Sequence, residues 1–168
     1  MKLVDEGTPN PRGEALVEEL RWIHGIIRGN LATIAVLIDQ IRNSAPVEQV
    51  RAEIDELATT SVVWTLRVTC MRYCSLVHGH HYHEDVAFFP VLRRVNPGLH
   101  AVIDKLEADH VVVSRYLDDI EAAAARISAD ESARGALAHA LRGLGAHLLT
   151  HLDYEEASLI PTLRRLIV

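Results

Sequence analysis

Apolar residues recur along this chain at spacings of three and four, the period of one face of an α-helix. Leu16, Leu20, Ile23, Ile27, Leu31, Ile34 and Ile38 form the first such stripe. Asn10 as N-cap and Pro11 at the first helical position open it, and Ser44-Ala45-Pro46 closes it. A second helical stretch runs from Val47 to Arg94. A third carries Ile103, Leu106, Val113, Leu117 and Ile120, and a fourth Leu137, Leu141, Leu144, Leu148, Leu152 and Leu159. The alternation of a half-buried strand is scarce. The pattern predicts an all-α protein: an antiparallel up-down four-helix bundle, one domain over residues 1–168, with helices at 11–44, 61–94, 98–128 and 131–166.

The polar residues that interrupt these stripes are histidines. His24 breaks the first, His110 the third and His151 the fourth, while His80 lies in the second. At 1.5 Å per residue, His110 to Ser128 spans about 27 Å and Asp130 to His151 about 31 Å, so these two reach one level. The first pair fits less well. His24 to Ser44 spans about 30 Å but Val47 to His80 about 50 Å, so about a dozen residues must leave the bundle axis. A break near Ala58–Ser61, where Thr59-Thr60-Ser61 weakens helix propensity, would make 47–58 a separate or angled helix.

One motif occurs twice. His80-x-x-x-Glu84 is followed by Asp85, by Pro90 and by Leu92-Arg93-Arg94; His151-x-x-x-Glu155 is followed by Glu156, Pro161 and Leu163-Arg164-Arg165. Residues four apart stack on one helix face, so each copy presents an imidazole beside a carboxylate. One layer then collects His24, His80, Glu84, His110, His151 and Glu155. Four imidazoles and two carboxylates suit two metal ions, each with two histidines and with Glu84 and Glu155 bridging. With an oxo or hydroxo bridge added, each ion stays open to a small ligand, and such a donor set favours iron over manganese or zinc.

Other histidines carry weaker signals. His147, one turn before His151, is a candidate proton shuttle or hydrogen-bond partner, and Tyr73, on the stripe of His80, a candidate supporting residue; both alternatives compete with ordinary surface or core roles. His81 and Asp85 form a second i, i+4 pair, set aside because Glu84, not Asp85, aligns with Glu155 relative to the proline. His78, His83, His100 and His139 read as surface.

Composition narrows the partners. A net charge of −6 argues against nucleic acid, which asks for a basic stripe. No apolar run is long enough to span a bilayer, and Met1–Gly7 lacks the apolar segment of a secretory signal, so the expected location is the cytoplasm. Cys70 and Cys74, one helical turn apart, read as buried thiols. Oligomeric state is not encoded in any feature of the chain.

This layout resembles the hemerythrin-like (HHE cation-binding) family, four-helix bundles that hold a non-haem di-iron centre. The matching residues are His24, His80 and Glu84 with Phe88-Phe89-Pro90, His110 after Ala108-Asp109, and His151 and Glu155 with Leu159-Ile160-Pro161. The resemblance implies two iron ions per chain, oxo- or hydroxo-bridged. Oxygen-carrying members look for a second histidine one turn along the third helix, where this chain has Ser114. That departure implies two similar, unsaturated irons, suited to decomposing hydrogen peroxide in a catalase-like reaction or to consuming reactive oxygen or nitric oxide. The alternative is a protein that binds or senses oxygen, nitric oxide or iron, or donates iron for repair of iron centres; repair members usually carry a Cys-bearing N-terminal segment, which this sequence does not show.

Overall fold

The structure, a computed structural model, describes residues 10–43, 55–127 and 130–166, the side chains of 40–43, 55–64 and 131 excepted. Helix α1 spans Pro11–Asn43 and α2 Asp55–His83; a π turn at Glu84–Phe88 joins α2 to the short α3, Phe89–Val95. A 3₁₀ turn at Pro97–Leu99 leads into α4, His100–Arg126, and α5 covers Glu131–Leu163. Packing is cyclic, with α1 against α2 and α5, and α4 against α2 and α5. The expected all-α, up-down bundle is what the chain forms.

Two features differ from the sequence expectation. Helix α2 passes through Ala58–Ser61 without interruption, because three polar, weakly unfavourable residues do not outweigh the packing of a long helix. The expected segment at 47–58 lies outside the described residues up to position 54. The stretch 61–94 is also not a single α-helix. Phe89 N–H bonds the carbonyl of Glu84, five residues back, and the wide turn adds one residue to the register. Phe89 and Leu92 are thereby buried, while Phe88 is only partly covered. Pro90, which has no N–H to give and would crowd a normal preceding turn, follows directly.

Side chains close the ends of the elements. Asp130 accepts from Ser132 N–H (2.9 Å) to cap α5, and Asn96 accepts from Gly98 N–H (3.1 Å) while donating to Thr162 Oγ1 (2.9 Å). At the other end of α5, Asn10 donates through Nδ2 to the Leu166 carbonyl (2.9 Å) and accepts from Gly13 N–H (2.8 Å). Here α1 and the end of α5 approach so closely that a β-carbon at Gly13 would sit 2.5 Å from the carbonyl oxygens of Leu163 and Arg164.

The apolar interior is in two parts. One contains Ile27, Leu31, Ile34, Leu66, Tyr73, Val77, Val113, Leu117, Leu144 and Leu148; the other contains Val17, Leu20, Phe89, Leu92, Ile103, Leu106, Leu159 and Leu163. Each buried aliphatic or aromatic side chain contributes about 1.5–3 kcal/mol relative to exposure. Helices α1, α4 and α5 cross from one part to the other with a histidine or glutamate at each crossing: His24 between Leu20 and Ile27, His110 between Leu106 and Val113, Glu155 between Leu148 and Leu159. Helix α2 reaches the second part only through the π turn and α3, with Glu84 between Val77 and Phe89. The bundle therefore places a polar layer between two apolar plugs.

Candidate metal centre

All six residues expected in the layer arrive there. His24, Glu84, His110, His151 and Glu155 are buried and the His80 side chain is 8% exposed. Glu84 Oε1 lies 3.4 Å from His80 Nε2 and its Oε2 lies 3.5 Å from His110 Nε2. Glu155 Oε2 lies 3.5 Å from His24 Nε2 and 3.7 Å from His151 Nε2. Each carboxylate thus faces a histidine from either half of the chain.

A seventh residue joins them. His81, set aside on sequence grounds, is buried; its ring stacks on His110 with centroids 3.9 Å apart and meets the edges of His151 at 5.3 Å. Phe89 also stacks on His110, with centroids 5.5 Å apart. Two donor groups result, each with atoms within 4.8 Å of one another: His24, His80, Glu84 and Glu155 in one, and His81, His110 and His151 in the other. The second group thus holds one imidazole more than the duplicated motif alone supplies. The signal for His81 was in the apolar stripe itself: Tyr73, Val77, His81 and Glu84 follow at spacings of four, four and three, whereas His80 sits at the stripe's edge.

Carboxylates outside the layer orient the rings, and sequence reasoning missed them too. His24 Nδ1–H donates to Glu156 (2.9 Å), which also accepts from Arg28 (2.8 Å), whose other nitrogen reaches Asp153 (2.7 Å). His110 Nδ1–H donates to Asp85 (2.8 Å), and Asp109 lies 3.6 Å from His151 Nδ1. The only hint was position: Asp85 and Glu156 each follow a layer glutamate, and Asp109 precedes His110. A carboxylate on Nδ1 fixes the tautomer and leaves the Nε2 lone pair facing inward.

That tautomer makes the layer fit a cation. Buried Nε2 of His24, His80 and His81, and all four oxygens of Glu84 and Glu155, have no hydrogen-bond partner among the described residues. His110 Nε2 and His151 Nε2 stand 3.2 Å apart. Without a cation, His151 must donate its Nε2 proton to His110 and turn a bare Nδ1 toward Asp109. With one, the proton sits on Nδ1 beside Asp109 and both Nε2 lone pairs are free to ligate. So many buried, unsatisfied acceptors on one point are costly unless a positive charge occupies it.

The electrostatics agree. Burial, reinforced by the neighbouring imidazoles, pushes His80 and His151 down to about 4 and His81 lower still. Burial, then the charge of Glu155, raises Glu84 well above the usual carboxylate range. At Glu155 burial acts in the same direction but is outweighed by His24, Glu84 and His151, which hold it below that range. Burial thus favours the neutral form of His80, His81 and His151, and neutral imidazole is the ligating form.

The two supporting candidates fare differently. His147 is 32% exposed, with Nε2 3.7 Å from Asp109, so it reaches the layer only through that carboxylate. Tyr73 packs in the apolar part beyond the layer, the core role open to it from the sequence, and its buried hydroxyl has no partner among the described residues. Helical side chains lean toward the N-terminus, here away from His80. Burial, then Cys74, pushes its hydroxyl pKa up, so it stays protonated. Cys70 and Cys74 are free and buried; burial raises both thiols to about 12, which makes them inert core residues. His83, His100 and His139 are exposed and His78 partly so, as expected.

A four-helix bundle with a buried layer of imidazoles and carboxylates between apolar plugs defines a metal-binding helical bundle. The family model described as hemerythrin HHE cation binding domain matches residues 15–163, and the chain belongs to that family. Searches of curated proteins and of solved structures returned no match. No described helix is long and apolar enough to cross a membrane.

Proposed function

We propose that the layer holds two iron ions, with His24 and His80 on one, His110 and His151 on the other, and Glu84 and Glu155 between them. The observation that carries this reading is that each glutamate stands within 3.7 Å of one histidine from each half of the chain. An iron pair supplies redox-active Lewis-acid centres able to exchange electrons with a small ligand. The protein's own part is to fix the ring tautomers through Glu156 and Asp85 and to keep bulk water out with the apolar plugs. Asp109, bonded to Lys105 and close to His147, gives His151 a polar link to the protein surface.

The chemistry this suits is consumption of a small oxidant, with hydrogen peroxide first and nitric oxide or another reactive oxygen species next. The second reading, reversible binding or sensing of oxygen or nitric oxide, is favoured by the unequal donor groups, since one saturated and one open ion suit binding without turnover. In this reading the chain acts as one domain, with a small molecule as its partner.

Iron content, the optical spectrum and oxygen release on adding peroxide to the same sample test the reading. About two irons per chain with oxygen release in proportion to iron supports peroxide consumption. Two irons without release moves the function to binding. His151→Ala is expected to lower iron content to half or less; unchanged iron and spectrum would refute the ligand assignment.

A further inference from the structure

Helix α1 carries apolar residues on every side between Arg21 and Asp39. In that stretch the only ionisable residue besides the buried His24 is Arg28, and it is held by Asp153 and Glu156 of the same chain. The bundle covers the inner stripe of the helix but leaves its outer face open, which the sequence alone does not reveal. Trp22 is 67% and Val36 57% exposed, and Gly29 stands midway between them on one ridge, seven residues from each. A helix that is apolar all round is normally a buried one. Gly25 and Gly29 add to the contrast: a β-carbon at either would meet nothing, so no neighbour inside the chain asks for glycine there, although glycine weakens a helix. We propose that this face docks a second copy of the same chain, with α1 antiparallel to the partner's α1 and the two-fold axis passing at Gly29.

The occupant follows from the face being its own complement. An antiparallel pair centred on Gly29 sets each Trp22 against the partner's Val36, and glycine at the centre lets the two backbones approach. Ridge residues seven apart suit a shallow crossing, which keeps the faces together over several turns. Charges at the two ends decide the direction. Arg21 lies seven residues before Arg28 and Asp39 eleven after it, close to whole numbers of turns, so all three occupy the edge of α1 that faces α5. Arg21 and Asp39 are exposed and have no ion-pair partner among the described residues. A two-fold axis across the helices brings each Arg21 to within about one turn of the partner's Asp39, at both ends, whereas parallel helices would set like charges together. On the same edge α5 adds Leu149, 40% exposed, at the level of Gly29: it lies between Asp153, which Arg28 reaches, and Gly145, beside which Leu31 packs. The stretch from Arg21 to Asp39 is about 27 Å long and, with the α5 edge, about 20 Å wide, so two copies would bury roughly 1,100 Å². That is the low end for a specific interface and implies a reversible dimer of micromolar strength.

Sedimentation velocity on the protein as purified tests this. The mass is expected to rise from one chain to two between about 1 and 100 µM. Gly29→Glu puts a charge on the axis, where its β-carbon has open space, so it should abolish the dimer and leave the helical circular dichroism and iron content unchanged. Arg21→Glu should weaken association about tenfold, and adding Asp39→Lys should restore it. A wild type that is still one chain at about 0.5 mM, which leaves the face to some other partner, overturns the proposal. So does a Gly29→Glu dimer as tight as the wild type, or a double variant no tighter than Arg21→Glu. Should Gly29→Glu fail to fold, Gly29→Cys decides. Mild oxidation should link two copies through this position, since Cys70 and Cys74 are buried, and a variant that stays a single chain under oxidation rejects the arrangement.

Discussion

Each outer carboxylate acts through a histidine, and that limits what its loss can do. Glu156 holds His24 and is itself held by Arg28; Asp85 holds His110 from a partly exposed position. Removing either leaves the Nε2 donors in the layer but frees the ring to rotate and lowers its basicity. Glu156→Ala and Asp85→Ala are each expected to weaken metal binding tenfold to a hundredfold, read by competition with a chelator, while the helical circular dichroism stays unchanged. Asp85→Asn, which still accepts a hydrogen bond, should fall between. Affinity equal to wild type in both alanine variants would mean that packing alone, including the Phe89 ring stacked on His110, sets the ring orientation.

The elements set how tightly the layer can be held, and the closest approach between them is at Gly13. A β-carbon there meets backbone oxygens rather than a side chain that could swing aside, so α1 or the end of α5 must shift. Gly13→Ala is expected to destabilise by about 1–3 kcal/mol, seen as a lower thermal midpoint, with metal stoichiometry unchanged because His24 lies three turns away; an unchanged midpoint would show that the ends are loosely joined. Such contacts are what the sequence did not reveal. The stripes of α1, α4 and α5 and the common level of His110 and His151 were legible because both follow from a fixed rise and period. The π turn was not, since its cue, a buried Phe89 beside a half-covered Phe88, emerges only once α3 packs. His81 was hidden by the repeat: aligning Glu84 with Glu155 assigned one face of α2 to the site, whereas the structure uses two adjoining faces. The expected break at Ala58–Ser61 failed for the opposite reason, a weak local propensity given more weight than a long helix allows.

For the whole molecule the layer is a cost that a cation offsets, and pH makes the cost measurable in metal-free protein. His80 and His151, at about 4 when folded against 6.5 unfolded, and His81, lower still, take up protons more readily in the unfolded chain. Stability from these three is complete above about pH 6.5 and is lost as pH falls through their folded values. Glu84 acts oppositely: its raised folded value gives stability that is present below pH 4.5 and lost as pH rises. Below about pH 6.5 the three histidines act together and Glu84 offsets part of their effect, so metal-free protein should lose stability on acidification, by at most about 1.4 kcal/mol per pH unit for each histidine. Above pH 6.5 the histidine contribution is complete, and the change that remains is the Glu84 stabilisation, lost as pH rises through its raised folded value. Metal changes the shape, not only the height, of this curve. Bound histidines and glutamates are held deprotonated, so the loaded protein should have a higher midpoint, flat toward alkaline pH, and collapse onto the metal-free curve only where protons displace the metal. Thermal midpoints from pH 4 to 9, with and without chelator, check this. Parallel curves for the two forms would mean that the metal does not bind in the histidine layer.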